Sequence, residues 1–112
     1  MKKLFVLLSA LFSFALSAGQ VTQTGLKVTK VMAGYPNGEV YFYVDKLPKN
    51  PKNCANPRSN HNILVVDPKR SDVSQVLSVL LTSKASHSNI EIQVYDDYCL
   101  NDYAVIRRVA VY

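Results

Sequence analysis

The chain predicts a mainly β fold with one helix, in the order β-β-β-α-β-β. Three observations carry that reading. Several short segments alternate apolar and polar residues at the period of a strand. Only one segment has helical periodicity. An Asn37-Gly38 pair sits between two strand-like runs, the strongest short-range signal of a hairpin.

The elements follow in order. Residues 1–19 are set apart from the fold. Lys2 and Lys3 form a positive start, and residues 4–16 are apolar apart from Ser9 and Ser13. The small residues Ser17, Ala18 and Gly19 come next. This is the layout of a secretory signal peptide, with cleavage expected between Ser17 and Gln20. The apolar run is 13 residues long, short of the ~20 that a spanning helix needs. No later segment is long and apolar enough to span. Residues 20–112 are then expected as a single disulfide-stabilised domain, secreted or periplasmic, with no membrane attachment after cleavage.

Residues 20–25 are polar and read as a loose lead-in. Residues 26–32 read as a strand, with Val28 and Val31 out of strict alternation, which predicts a bulge. Residues 33–38 are turn-rich, and both members of Asn37-Gly38 tolerate positive φ. Residues 39–45 form the partner strand, with Val40, Phe42 and Val44 on one face and Tyr41 and Tyr43 on the other. Residues 46–60 hold Pro48, Pro51 and Pro57 with four asparagines and Cys54, a long loop of the kind that is functional or pinned. Ile63–Val66 is a short apolar strand.

In the helix, Val73, Val76, Leu77, Leu80 and Leu81 fall at i, i+3, i+4, i+7 and i+8, one face of an α-helix. Asp72 is expected to cap it, with Gln75 completing a capping box. Residues 86–89 end it. Residues 90–95 alternate again, with Ile90, Ile92 and Val94 inward. Residues 96–102 read as a polar turn around Cys99, and residues 103–112 as the last strand, interrupted at Arg107-Arg108. Five strands with one helix between the third and fourth is the order of an OB-like, five-stranded, partly open barrel. An open α+β sheet is the alternative.

Charge and cysteine usage narrow the function classes. The 112 residues carry a net charge of +5, and a chain starting near Gln20 keeps 11 Lys plus Arg against 8 Asp plus Glu, a net of +3. No basic run exceeds two residues, so the charge reads as ordinary solvated surface. Lys27, Lys30, Arg107 and Arg108 could line a nucleic-acid groove of the OB type, but export argues against a nucleic-acid partner. Cys54 and Cys99 are the two cysteines. In an exported chain an even count reads as a disulfide, and no C-x-x-C or second Cys/His pair supports a zinc site.

Catalytic groups are scarce. His61 lies in a polar turn and His87 at the helix C-terminus, where it suits the helix dipole. No Ser-His-Asp or Cys-His motif is present. Gly34 and Gly38 form no phosphate cradle. Asp96, Asp97 and Asp102 lack the spacing and glycine of a calcium loop. The chain therefore reads as a non-enzyme with no cofactor and no metal.

Tyrosine is the suggestive residue type: 7 Tyr against 4 Phe and no Trp. Tyr95, Tyr98 and Tyr103 cluster around Cys99. Tyr rings stack on sugars while the hydroxyl hydrogen-bonds, and Asp97 offers an acceptor for hydroxyls. The candidate ligand surface is thus Tyr95, Asp97, Tyr98 and Tyr103, with the Tyr41 and Tyr43 face as the alternative.

Residues 27–44, Cys54, residues 77–85, 90–99 and 103–111 together resemble a widespread group of small secreted proteobacterial proteins, most specifically in 79–85 followed by 90–94. That group is similar in layout to the receptor-binding B subunit of subtilase cytotoxin, an OB-fold pentamer that binds sialylated glycans. The resemblance implies a secreted or periplasmic, non-catalytic module that binds a glycan or protein partner, and it leaves a homo-oligomer open. None of the toxin's sugar-contacting residues maps onto this sequence. The alternatives are a periplasmic accessory or inhibitor protein and, last, an enzyme. Fold alone does not decide among them.

Overall fold

The computed structural model describes residues 19–55 and 62–112. The segment expected to be a signal peptide, apart from Gly19, and His61 lie outside the described residues. Five strands and one helix occur in chain order: β1 (Gln20–Met32), β2 (Val40–Val44), β3 (Ile63–Val66), α1 (Val73–Ser86), β4 (Asn89–Leu100) and β5 (Tyr103–Val111). The strands close in a ring in the order β1-β2-β3-β5-β4. The fold is mainly β with one helix, in the expected OB-like layout.

β1 makes the ring possible because it serves two partners. Its first half, Gln20 to Lys27, pairs antiparallel with β4, and its second half, Val28 to Met32, pairs with β2. The strand bends between the two. The register slips between Gln23 and Leu26, where Gly25 sits at φ +73°, and again between Val28 and Lys30. The predicted bulge is present. Residues 20–25 are not a loose lead-in, however. Their side chains are polar, but their backbone is paired along β4, which composition cannot reveal. The loop after β2 is tied down on the same bend. Asp45 Oδ1 accepts the Lys27 amide at 2.8 Å, Lys46 Nζ donates to the Gly25 carbonyl at 3.0 Å, and Gln23 Oε1 accepts the Lys49 amide at 2.7 Å.

The ring is tight on one side and thin on the other. β4 and β5 pair from Ile90↔Val111 to Val94↔Ile106 and resume at Cys99↔Ala104. Between those points four residues of β4, Tyr95 to Tyr98, oppose Val105 alone. Val105 instead meets Val65 of β3, the single parallel pair that closes the ring. The barrel is therefore partly open at this seam. The Arg107-Arg108 interruption is a one-residue bulge: Gln93 faces Arg108 and Val94 faces Ile106, so Arg107 is the extra residue. Arg107 and Arg108 then donate across the sheet to Gln93 and Glu91 at 2.9 and 3.1 Å.

Two turns differ from expectation. The polar run 96–102 is mostly strand, and the tight turn is Asn101-Asp102 alone, with φ of +51° and +67°. Two central residues with positive φ match the right-handed twist of a hairpin. By contrast, Asn37-Gly38 belongs to a looser connection. Pro36 and Asn37 are the central turn residues, the Gly38 amide donates to the Tyr35 carbonyl at 3.0 Å, and of the Asn37-Gly38 pair only Gly38 takes a positive φ, +85°.

The core fills the ring with Leu26, Phe42, Leu64, Ile90, Ile92, Val94 and Ile106, and α1 closes it with Val76 and Leu80. The helix buries Val76, Leu80 and Ser83 rather than Leu81, which is 50% exposed. Ser83 is small enough to sit against the sheet, and its hydroxyl donates to the Leu80 carbonyl at 2.8 Å, so its burial leaves no polar atom unpaired. The capping box does not form. Asp72 makes no side-chain cap bond because both its carboxylate oxygens take Arg70, whose Nη1 also donates to the Ile106 carbonyl at 3.1 Å. The pairing lowers the Asp72 pKa and raises that of Arg70. His87, at φ +55°, supplies the left-handed helix end, and the Ser88 amide donates back to Ser83 at 3.1 Å.

The disulfide joins Cys54 to Cys99 with Cα atoms 5.7 Å apart. Asn50 holds the Cys54 end: its Nδ2 donates to the Cys54 carbonyl and its Oδ1 accepts the Cys54 amide, both at 2.8 Å. The loop after β2 is thus pinned to β4 just beyond the stretch where β4 leaves β5.

Candidate functional site: a tyrosine-lined groove

The outer face of β2, β3 and β5 carries a second apolar layer. Tyr41, Ile63, Val65 and Val105 are buried there, with Met32, Tyr43, Tyr95, Tyr98, Leu100 and Tyr103 packed around them. The cause is visible in β3, where all four residues are buried. A strand that is apolar at every position has both faces covered, so the β2 face opposite Phe42 could not be simple solvent surface.

This layer leaves a groove of about 320 Å³, lined by Lys30, Met32, Tyr35, Tyr41, Tyr43, Ile63 and Tyr103. Each ring is placed by its element. Tyr41 and Tyr43 alternate with Phe42 along β2. Tyr103 opens β5 directly after the Asn101-Asp102 turn, and Tyr35 begins the turn before β2. The rings support one another edge-on. Tyr35 and Tyr41 lie 4.8 Å apart at 71°, and Tyr41 and Tyr103 lie 5.3 Å apart at 72°, the T-shaped geometry that the aromatic quadrupole favours. Tyr41 is 7% exposed, and its hydroxyl oxygen accepts Asn101 Nδ2 at 2.8 Å. It is therefore fixed as the back wall, while Tyr35, 39% exposed, stands at the rim. The Lys30 ammonium lies 5.3 Å from the centre of the Tyr43 ring, within cation–π range. Among the described residues that line it, Lys30 is the only ionisable group other than phenols.

The sequence-predicted residues divide between this groove and its surroundings. Tyr103 is in it. Tyr95 and Tyr98 lie on the stretch of β4 that bows away from β5, with ring centres 5.2 Å apart. Tyr98 donates its hydroxyl to Asp67 Oδ2 at 2.9 Å, and burial, then this bond, pushes its pKa well above the usual phenol range. Its hydroxyl proton is thereby committed within the fold. Asp97 is exposed on the same stretch. The groove instead recruits Tyr41 and Tyr43, the alternative face, together with Tyr35, Met32 and Lys30, which the sequence did not single out as a group. The available signal was the wholly apolar β3, whose second face needed a cover.

The described lining offers flat apolar faces, phenolic hydroxyls and the Lys30 ammonium. Those are the elements that hold a flat or ring-shaped polar molecule with an anionic group. Set beside known proteins, the chain matches no family model and no curated protein.

Proposed function

We propose that the protein is an exported, non-catalytic binding module that recognises an acidic glycan through the tyrosine groove. The single observation that carries the reading is the lining itself: Tyr35, Tyr41, Tyr43 and Tyr103 around one groove, with Lys30 as its cation. Sugar rings present C–H faces to aromatic rings and hydroxyls to phenols, and a carboxylate-bearing sugar would also pair with Lys30. The buttressed rings lower the ordering cost of binding. The disulfide fits an oxidising compartment, and among the described residues no helix is long and apolar enough to cross a membrane. The layout's resemblance to a toxin subunit that binds sialylated glycans points to the same ligand class.

The test is titration of the protein with 3′-sialyllactose, with lactose as the neutral control. The reading expects saturable binding of the sialylated sugar and at least about tenfold weaker binding of lactose. Tyr35→Ala should weaken binding while leaving the melting temperature nearly unchanged, because Tyr35 is at the rim. Equal affinity for the two sugars would remove the role given to Lys30. Absence of binding to either, and to a wider glycan array, would remove the glycan reading and favour a protein partner.

A further inference from the structure

A second pocket, of about 460 Å³, is lined by Asn37, Glu39, Asp67, Pro68, Lys69, Tyr98, Leu100 and Asn101. Glu39 sits immediately before β2 and is 6% exposed. Its Oε1 is buried with no hydrogen-bond partner. Carboxylates are rarely buried unless paired, because removing the charge from water is costly, and an orphan of this kind calls for a cause.

The neighbouring groups do not supply a partner. Asp67 is itself an acceptor, already taking the Lys69 amide through Oδ1 and the Tyr98 hydroxyl through Oδ2, both at 2.9 Å. Asn101 has turned its amide nitrogen to Tyr41 at 2.8 Å, which leaves its carbonyl oxygen for the pocket. Lys69 lines the pocket but makes no ion pair with Glu39. The described walls are thus rich in acceptors and carry two carboxylates against one ammonium. What Glu39 lacks is a positively charged donor within reach.

We propose that this pocket binds an organic cation, a guanidinium or primary ammonium group, with Glu39 as its principal counter-charge. A metal ion fits less well: among the described residues no group of three or more His, Cys, Asp or Glu is placed to hold one. A guanidinium brings several donors in one plane, enough for Glu39, the Asn101 carbonyl and the Tyr98 phenol oxygen together. Pro68, two residues after β3, lies beside Gly38: a Cβ added at Gly38 would stand 3.4 Å from the Pro68 Cβ. The site is independent of the glycan reading, since it uses none of the groove's lining residues.

The experiment is a titration of the full chain with agmatine, followed by amide chemical shifts. Butylurea, which keeps planar N–H donors but carries no charge, and calcium chloride serve as controls. The expected result is saturable shifts at Glu39, Lys69 and Asn101 with agmatine alone. Glu39→Gln should weaken binding by about tenfold or more, with a melting temperature unchanged or raised because an unpartnered carboxylate has been removed. Lys69→Gln should tighten agmatine binding by about two- to fivefold, because it removes the one like charge in the lining; this variant keeps the test decisive if Glu39→Gln fails to fold. Equal shifts with the neutral analogue, shifts with calcium only, no saturable shift, or unaltered affinity in both variants would each overturn the proposal.

Discussion

Reducing the Cys54–Cys99 bond should cost the protein about 4 kcal/mol. The two cysteines are separated by 45 positions. Closing a loop of that length removes about 13 cal/mol/K from the unfolded chain, or about 4 kcal/mol at 25 °C. A domain of this size unfolds with an entropy of about 0.2 kcal/mol/K near its midpoint, so the melting temperature should fall by about 20 °C. Reduction is the cleaner perturbation because it leaves both sulfur atoms in the core, whereas Cys→Ala adds a cavity term. The assay is urea denaturation of the oxidised protein and of protein held reduced. The reduced form should also show a larger m-value, because its unfolded state is more expanded. A loss below about 1 kcal/mol with unchanged m would show that the bridge does not restrict the unfolded chain. It would mean that Asn50 and the hydrogen bonds onto β1 already hold the loop, and that the bridge adds no constraint where the chain is unfolded.

Other consequences can be checked on the same protein. Leu80→Ala should cost about 2–5 kcal/mol, whereas Leu81→Ala should stay within about 0.5 kcal/mol; equal effects would contradict the helix orientation. Gly25→Ala should be destabilising because the bend of β1 needs φ near +73°, a region that alanine enters only with strain, and a neutral result in thermal melting would count against the bend. For Tyr98 the folded pKa lies above the unfolded one. Its contribution is therefore fully present below the unfolded value near 10 and is lost as pH rises through that value towards the folded one. Tyr98→Phe should then lose less stability than the native chain between about pH 9 and pH 11, measured as urea midpoints, and identical slopes would contradict the shift.

How much of this was legible in the residues depended on what each element's stability rests on. β2 was readable because tyrosine alternates with Val and Phe along it, and the start of β4 because side-chain burial alternates there. The first half of β1 was not, since Gln20, Thr22 and Gln23 are held by backbone pairing to β4 that leaves no trace in composition. In α1 the apolar count misled by one position. Leu81 looked like a core residue, but the buried stripe runs on to Ser83, whose hydroxyl is satisfied inside the helix. The polar run from Asp96 read as a turn, although it is the stretch where β4 bows away because β5 turns to meet β3. Tyr41 was placed on the correct face, but its burial became apparent only with the second apolar layer. The burial of Glu39 had no sequence signal at all, because one glutamate beside a turn reads as solvent-facing.

Amide and side-chain shift mapping with 3′-sialyllactose decides whether the tyrosine groove is the ligand surface. Saturable shifts should be confined to Lys30, Met32, Tyr35, Tyr43 and Tyr103, with binding weakened in Tyr35→Ala and Lys30→Gln. Shifts centred instead on Tyr95, Asp97 and Tyr98, or unaltered affinity in both variants, would contradict it.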